Sequence, residues 1–114
     1  MKFYFVNTCY ACPEQYDVYR DNGQICAYVR LRWGNLYAEY PSIDGEVIYN
    51  THFSDNSKGN FDNDNERDYY LKEISEAIKD KIVENMHIDY KEIDTEYEYL
   101  TDISQLEERI GKSE

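Results

Sequence analysis

The chain has 114 residues and a formal net charge of −12, from 24 acids and 12 bases. That balance excludes a direct nucleic-acid binder, which needs a basic face, and disfavours adsorption to anionic lipid. With 13 tyrosines and 16% aromatic residues, the chain is too rich in core-forming side chains to be disordered; its length gives one domain, residues 1–114, with a single modest core and frayed last residues.

Lys2 to Val6 reads as a buried strand, aromatic and β-branched. It is too short and too soon followed by polar residues to be a secretion signal. No apolar run reaches the roughly 18 residues of a membrane span, so the expected location is cytoplasmic. Three cysteines, an odd count, argue against a disulfide framework.

Tyr16 to Tyr40 organises the rest. It holds three strand-like runs joined by Asn22-Gly23 and Gly34-Asn35, dipeptides that tolerate the positive φ of tight hairpin turns. A two-residue loop at Asn22-Gly23 sets Val18 opposite Ala27, Asp17 opposite Tyr28 and Tyr16 opposite Val29. A loop at Gly34-Asn35 sets Trp33 opposite Leu36, Leu31 opposite Ala38, Arg30 opposite Glu39 and Arg32 opposite Tyr37. Both registers put Ala27, Val29, Leu31 and Trp33 on one face and Tyr28, Arg30 and Arg32 on the other, and a one-residue slip in either would mix the faces. After a turn ending in Asp44-Gly45, Glu46 to Phe53 reads as a further strand. Val47, Tyr49, Thr51 and Phe53 point to the core; Ile48, Asn50 and His52 point outward.

Asn63 and Glu66 stand at capping-box spacing. A helix over 66–84 follows, with Tyr70, Leu71, Ile74, Ala77, Ile78 and Ile82 on its apolar stripe and Lys72, Glu73, Glu76, Lys79 and Asp80 opposite. A second such pair, Asp102 and Gln105, opens a short helix through Ile103, Leu106 and Ile110, stopped by Gly111. Residues 88–93 fit a short strand or a loop. The expected fold is α+β: a four- or five-stranded antiparallel meander, one main amphipathic helix packed on one face, and a short C-terminal helix. Its core is Phe3, Phe5, Val18, Ala27, Val29, Leu31, Trp33, Ala38, Tyr40, Tyr49, Leu71, Ile74, Ile78 and Ile82.

The motifs offer little chemistry. Cys9-x-x-Cys12 lacks the following helix that lowers a thiol pKa in redox proteins. A zinc site needs two more ligands, and Cys26, His52 and His87 are scattered. Asp55 to Glu66 fits a calcium loop badly: Gly59 brings no side-chain ligand, and Asn60 stands where glycine is required. There is no nucleophile elbow, phosphate loop or zinc-protease motif. No metal, cofactor or catalytic residue is expected.

Charge gives more. Residues 1–54 hold six acids and four bases, residues 55–114 hold 18 and eight. The densest stretch is Asp89, Glu92, Asp94, Glu96, Glu98, Asp102, Glu107 and Glu108, with Lys91 the one base from 89 to 108. Such a one-signed field either faces solvent or imitates phosphates before a basic, nucleic-acid-binding protein. A second candidate surface is the outward sheet face with Tyr19, Tyr28, Arg30, Arg32 and Tyr37, residue types enriched at binding hot spots. A thiol or zinc role through Cys9 and Cys12 is the third reading.

At Pro13-Glu14-Gln15-Tyr16-Asp17-Val18-Tyr19, Tyr28-Val29-Arg30-Leu31-Arg32-Trp33-Gly34 and Phe61-x-x-x-x-Glu66-Arg67, the chain resembles small uncharacterised acidic proteins of Gram-positive bacteria, their phages and mobile elements. The resemblance spans 12–80. It brings no catalytic residue and implies the company of host-defence inhibitors. In size, charge and sheet-plus-helix content the chain also looks like acidic DNA-mimic inhibitors of CRISPR nucleases or restriction enzymes, an architectural analogy.

Changing Cys9 and Cys12 together to Ser is expected to leave the fold intact, as read by thermal melting. Stoichiometric zinc in protein purified without added metal would contradict this.

Overall fold

The computed structural model describes residues 1–9, 14–86 and 93–111. The elements are β1 (Lys2–Asn7), β2 (Gln15–Arg20), β3 (Ile25–Arg32), β4 (Asn35–Tyr40), β5 (Glu46–His52), α1 (Asp64–Met86), β6 (Glu96–Leu100) and α2 (Ile103–Ile110). They form an α+β fold around one six-stranded sheet of order β5-β4-β3-β2-β1-β6. β1 to β5 pair antiparallel in sequence. β6 then joins the free edge of β1 in parallel, so the sheet is mixed and has one strand more than the expected meander.

β1 explains the addition. Phe3, Tyr4, Phe5 and Val6 are all buried, so this strand carries apolar side chains on both faces. α1 covers one face, where Phe3 and Phe5 join Tyr16, Val18, Ala27, Val29, Leu31, Leu36 and Ala38 against Leu71, Ile74, Ile78 and Ile82. α2 covers the other, where Tyr4, Val6, Leu100 and Leu106 form a second, smaller core. The alternating Glu96-Tyr97-Glu98-Tyr99 of β6 serves both sides. Tyr97 meets Phe5 and Tyr99 meets Tyr16 edge to face, with ring centroids 6.0 and 5.7 Å apart, while Glu98 turns toward α2.

Both helices begin as their sequences require. Asn63 Oδ1 accepts the Glu66 N–H at 2.8 Å, and the Glu66 carboxylate reaches back to the Asp62 N–H at 2.7 Å. Asp102 caps α2 in a full capping box with Gln105, and Gly111 ends it at φ 76°.

The first hairpin keeps the expected Tyr16–Val29, Asp17–Tyr28 and Val18–Ala27 pairs. Its loop is Asp21-Asn22-Gly23, closed by Gly23 N–H to Arg20 O at 2.9 Å. The ladder shift beyond Val18, at Cys26, cancels the extra loop residue. In the second hairpin the turn is Trp33-Gly34, at φ 55° and 76°, the pattern of a type I′ turn. Leu31 therefore faces Leu36, Arg30 faces Tyr37 and Tyr28 faces Glu39. The expected Arg30–Glu39 and Arg32–Tyr37 pairs do not form. The slip is two residues, so the faces survive.

Three further expectations fail. Trp33 is 66% exposed, not a core residue. A ladder shift in β5 sets Val47 opposite Glu39 and leaves it exposed, while Ile48 packs on the main core. Lys79 is buried at its stem, with Nζ held by Glu76 at 3.2 Å and Asp80 at 3.3 Å, the usual way a long cationic side chain covers apolar surface.

Gly34 is required where it stands. A Cβ there would lie 2.6 Å from the Asp55 carbonyl oxygen, and its N–H donates to Lys58 O at 2.8 Å. Trp33 holds positive φ with no such need, and a left-handed L-residue costs roughly 1–2 kcal/mol. Trp33→Asn is expected to raise stability by up to about 1 kcal/mol in urea unfolding. A loss of that size would show that the indole packs on the fold.

Candidate functional site

Three places were singled out by charge and composition: the acidic run, the outward sheet face and the cysteine pair. Asp89, Glu92 and Cys12 lie outside the described residues. The remaining acids divide by role. Asp102 is the α2 cap. Glu98 Oε2 takes Arg109 Nε and Nη2, each at 2.8 Å, a two-point contact that ties α2 to β6 and lowers the Glu98 pKa. Glu96 and Glu98 both approach Lys2 Nζ, at 4.0 and 3.9 Å. Glu108 stands 3.8 Å from Arg109. Asp94 and Glu107 are exposed and have no ion pair among the described residues. The run is therefore part scaffold and part free surface.

Bases of the same half of the chain are spent internally. Lys58 Nζ lies 2.7 Å from Asp62 and 3.1 Å from Glu66, above the Phe53 ring. Those oxygens belong to the rejected calcium loop, and a lysine ammonium supplies their counter-charge. Arg67, Lys79, Lys81 and Arg109 are likewise paired. From 55 to 111, Lys72 is the one described base without an ion pair. Asp68, Glu73, Asp94 and Glu107 face solvent with none.

On the outward sheet face, α2 covers Tyr4, Val6 and part of Tyr19. Tyr28 is only 4% exposed, between its cross-strand neighbours Asp17 and Glu39. Arg30 and Tyr37 are half-buried and Arg32 is exposed beside the Trp33 ring, 5.8 Å from its centroid. Among the described residues Arg30 Nε is buried with no hydrogen-bond partner, as is Arg67 Nε. The five residues share a face, as expected, but Tyr28 is not displayed.

Cys9 is half-buried, and its N–H donates to Asn7 Oδ1 at 2.8 Å. Cys26 sits in the main core, where burial pushes its thiol up to about 12 and so keeps it protonated. Among the described residues no group of His, Cys, Asp and Glu is arranged to hold a metal.

One cluster escaped the sequence reading. Glu14, 8% exposed, receives the Tyr16 hydroxyl on Oε1 and the Phe61 N–H on Oε2 at 3.1 Å. Arg67 Nη2 lies 3.8 Å from the same oxygen, its Nη1 2.9 Å from Asp64, and its guanidinium 4.4 Å above the Tyr99 ring. Burial first, then the Glu14 contact, drives the Tyr16 pKa far upward, so the phenol stays neutral. With no accessible surface on Tyr16, a substrate cannot touch it. The cluster is a clamp that fastens the start of β2 and the Phe61 segment to the first turns of α1. Two of the motif segments quoted above, around Glu14 and around Phe61 and Arg67, meet here. The signal was an acid, Glu14, with no charged residue nearer than Asp17, and in the other segment an arginine, each close to aromatic residues.

No protein-family profile, curated protein or solved structure matches the chain.

Glu14→Ala strands the Tyr16 hydroxyl and the Phe61 N–H and leaves Asp64 as the one carboxylate paired with Arg67 among the described residues. The expected loss is about 3–5 kcal/mol, as when one partner of a buried pair is removed, measured by urea unfolding. A change below about 1 kcal/mol would mean that water reaches these groups.

Proposed function

We propose that this is a non-enzymatic acidic protein that acts in the cytoplasm by binding a basic nuclease or other DNA-handling enzyme and occupying its nucleic-acid groove. The observation that carries this reading is the internal use of positive charge. Lys58, Arg67, Lys79, Lys81 and Arg109 are each turned to a carboxylate of the same chain. Asp68, Glu73, Asp94 and Glu107 then present a field of one sign outward. Such a field steers a basic partner and accelerates its encounter. Inhibition of a host-defence enzyme is the role that this chemistry serves.

A second reading has its own support. Arg30, with its buried Nε unpaired among the described residues, Arg32 and Tyr37 form a cationic, aromatic patch on a sheet face that α2 leaves open. That patch suits a protein partner without a basic groove, held through ring contacts that salt weakens less than it weakens a field of net charge.

The test must spare the scaffold. Glu98 anchors α2 through Arg109, so an amide there would loosen the fold, and Asp102 is already engaged as the α2 cap. Asp94, Glu96, Glu107 and Glu108 are the better set, and changing all four to amides moves the net charge from −12 to −8. Capture of a DNA-cleaving enzyme by the immobilised protein is expected to weaken steeply between about 0.1 M and 1 M salt, as the Debye length falls from about 10 to 3 Å. The fourfold variant is expected to bind more slowly and with a shallower salt dependence, and to melt no lower than the wild type. Equal, salt-independent capture by both proteins sinks the mimic reading and favours the Arg30 face.

A further inference from the structure

We propose that the tip of the β3–β4 hairpin and the sheet face beside it, with Arg30, Arg32, Trp33 and Tyr37, form a docking surface for an acidic, extended segment of another protein. Trp33 is its anchor. The docking role rests on the second reading above; what is new is the chemistry of the partner.

The ladder lays this surface out in rows. Arg30, Tyr37 and Asn50 are successive cross-strand partners, and Arg32, Asn35 and His52 form the row beside them. Neither row holds an acid. Acids begin one row further, at Asp17 and Glu39 on either side of Tyr28, and Glu39 Oε1 already accepts the Asp44 N–H at 3.0 Å. Of the four bases before residue 55, Lys2 alone has an ion pair among the described residues. Arg30 and Arg32 stand two apart on one strand, roughly 7 Å from each other. Arg30 is half-buried, with its Nε withdrawn from water. A guanidinium so placed gains more from a carboxylate than an exposed one does, and salt screens that pair less.

Trp33 points the same way. It is the chain's one tryptophan, 66% exposed and held at φ 55°, where a bulky L-residue is strained. Its ring lies 5.8 Å from the Arg32 guanidinium, on the side of the sheet that Arg32 takes. The Asp55–Lys58 segment fixes Gly34 beside it, so the indole is presented on a firm backbone. Strain kept at an exposed, large aromatic fits a contact made outside the chain. An extended segment sets alternate side chains roughly 7 Å apart on one face, the spacing of Arg30 and Arg32. Two carboxylates at such positions meet both guanidiniums, and an apolar residue of the segment covers the indole. A nucleic-acid strand, charged at every step, runs on into the acids that border the patch, and a second copy brings a net charge of −12.

The test uses the isotope-labelled full chain and a short capped peptide alternating glutamate and leucine. Matching glutamine–leucine and lysine–leucine peptides are the controls, and oligodeoxythymidylate is the other polyanion. Trp33 emission and NMR amide shifts are followed. Saturable changes centred on Arg30, Arg32, Trp33 and Tyr37 are expected with the glutamate peptide alone. Arg32→Gln is expected to weaken binding about tenfold, the loss for a hydrogen bond to a charged group. Trp33→Asn, read by NMR, is expected to weaken it at least as much while melting no lower than the wild type, because the strain is relieved. Equal responses to the glutamate and lysine peptides, a stronger response to oligodeoxythymidylate, or binding unchanged in both variants would overturn the acidic occupant. Concentration-dependent shifts of the same residues without peptide would make a second copy the occupant and overturn it too. Protein capture that Tyr37→Ala abolishes but the glutamate peptide cannot compete would overturn the acidic segment and leave the second reading standing. No response to any probe, with capture unaffected by Tyr37→Ala, would remove both.

Discussion

The burial of β1 on both faces is the constraint from which the rest of the structure follows. A strand with four successive buried side chains needs a layer above, a layer below and a neighbour on each edge. β2 supplies one edge and α1 one layer. Nothing in the meander supplies the others, so the chain after α1 returns to provide β6 and α2. The acidic character of that return then has a structural reason as well as a functional one. β6 is an edge strand, and charged residues on an edge discourage pairing with other chains. Glu98 does this and also fixes α2 through Arg109.

How far the sequence exposes this fold depends on which physical signal each part leaves. Period-two alternation carries parity, so the faces of β2, β3 and β4 were legible, as were the capped starts of α1 and α2. Parity is blind to a slip of two, and Trp33-Gly34 and Gly34-Asn35 each hold the glycine a tight turn needs. The choice lies in a distant contact, the Asp55–Lys58 segment packed against Gly34, which local chemistry cannot reveal. The two ladder shifts, near Cys26 and Ile48, were invisible for a related reason: one inserted residue resembles noise in an alternating pattern. β6 did alternate, as Glu-Tyr-Glu-Tyr-Leu, but its charge drew the reading toward surface and away from strand.

The candidate site was legible as composition and not as arrangement. Which acids are free and which are engaged depends on where the bases fall, and Lys58, Lys79 and Arg109 find partners through helix and loop geometry. The Glu14–Arg67 clamp likewise joins residues from two segments that are remote in the chain.

The parallel pairing of Lys2 with Glu96 and of Val6 with Leu100 also sets a schedule for synthesis. A ribosome adding about 5–20 residues per second needs on the order of 5–20 s to travel between those strands. Throughout that interval β1 has one open edge and one uncovered apolar face. β2 to β5 can assemble meanwhile, because each pairs with the strand just made. The finished sheet therefore waits on its first strand, and the nascent chain carries a sticky margin that only its last described segments can close.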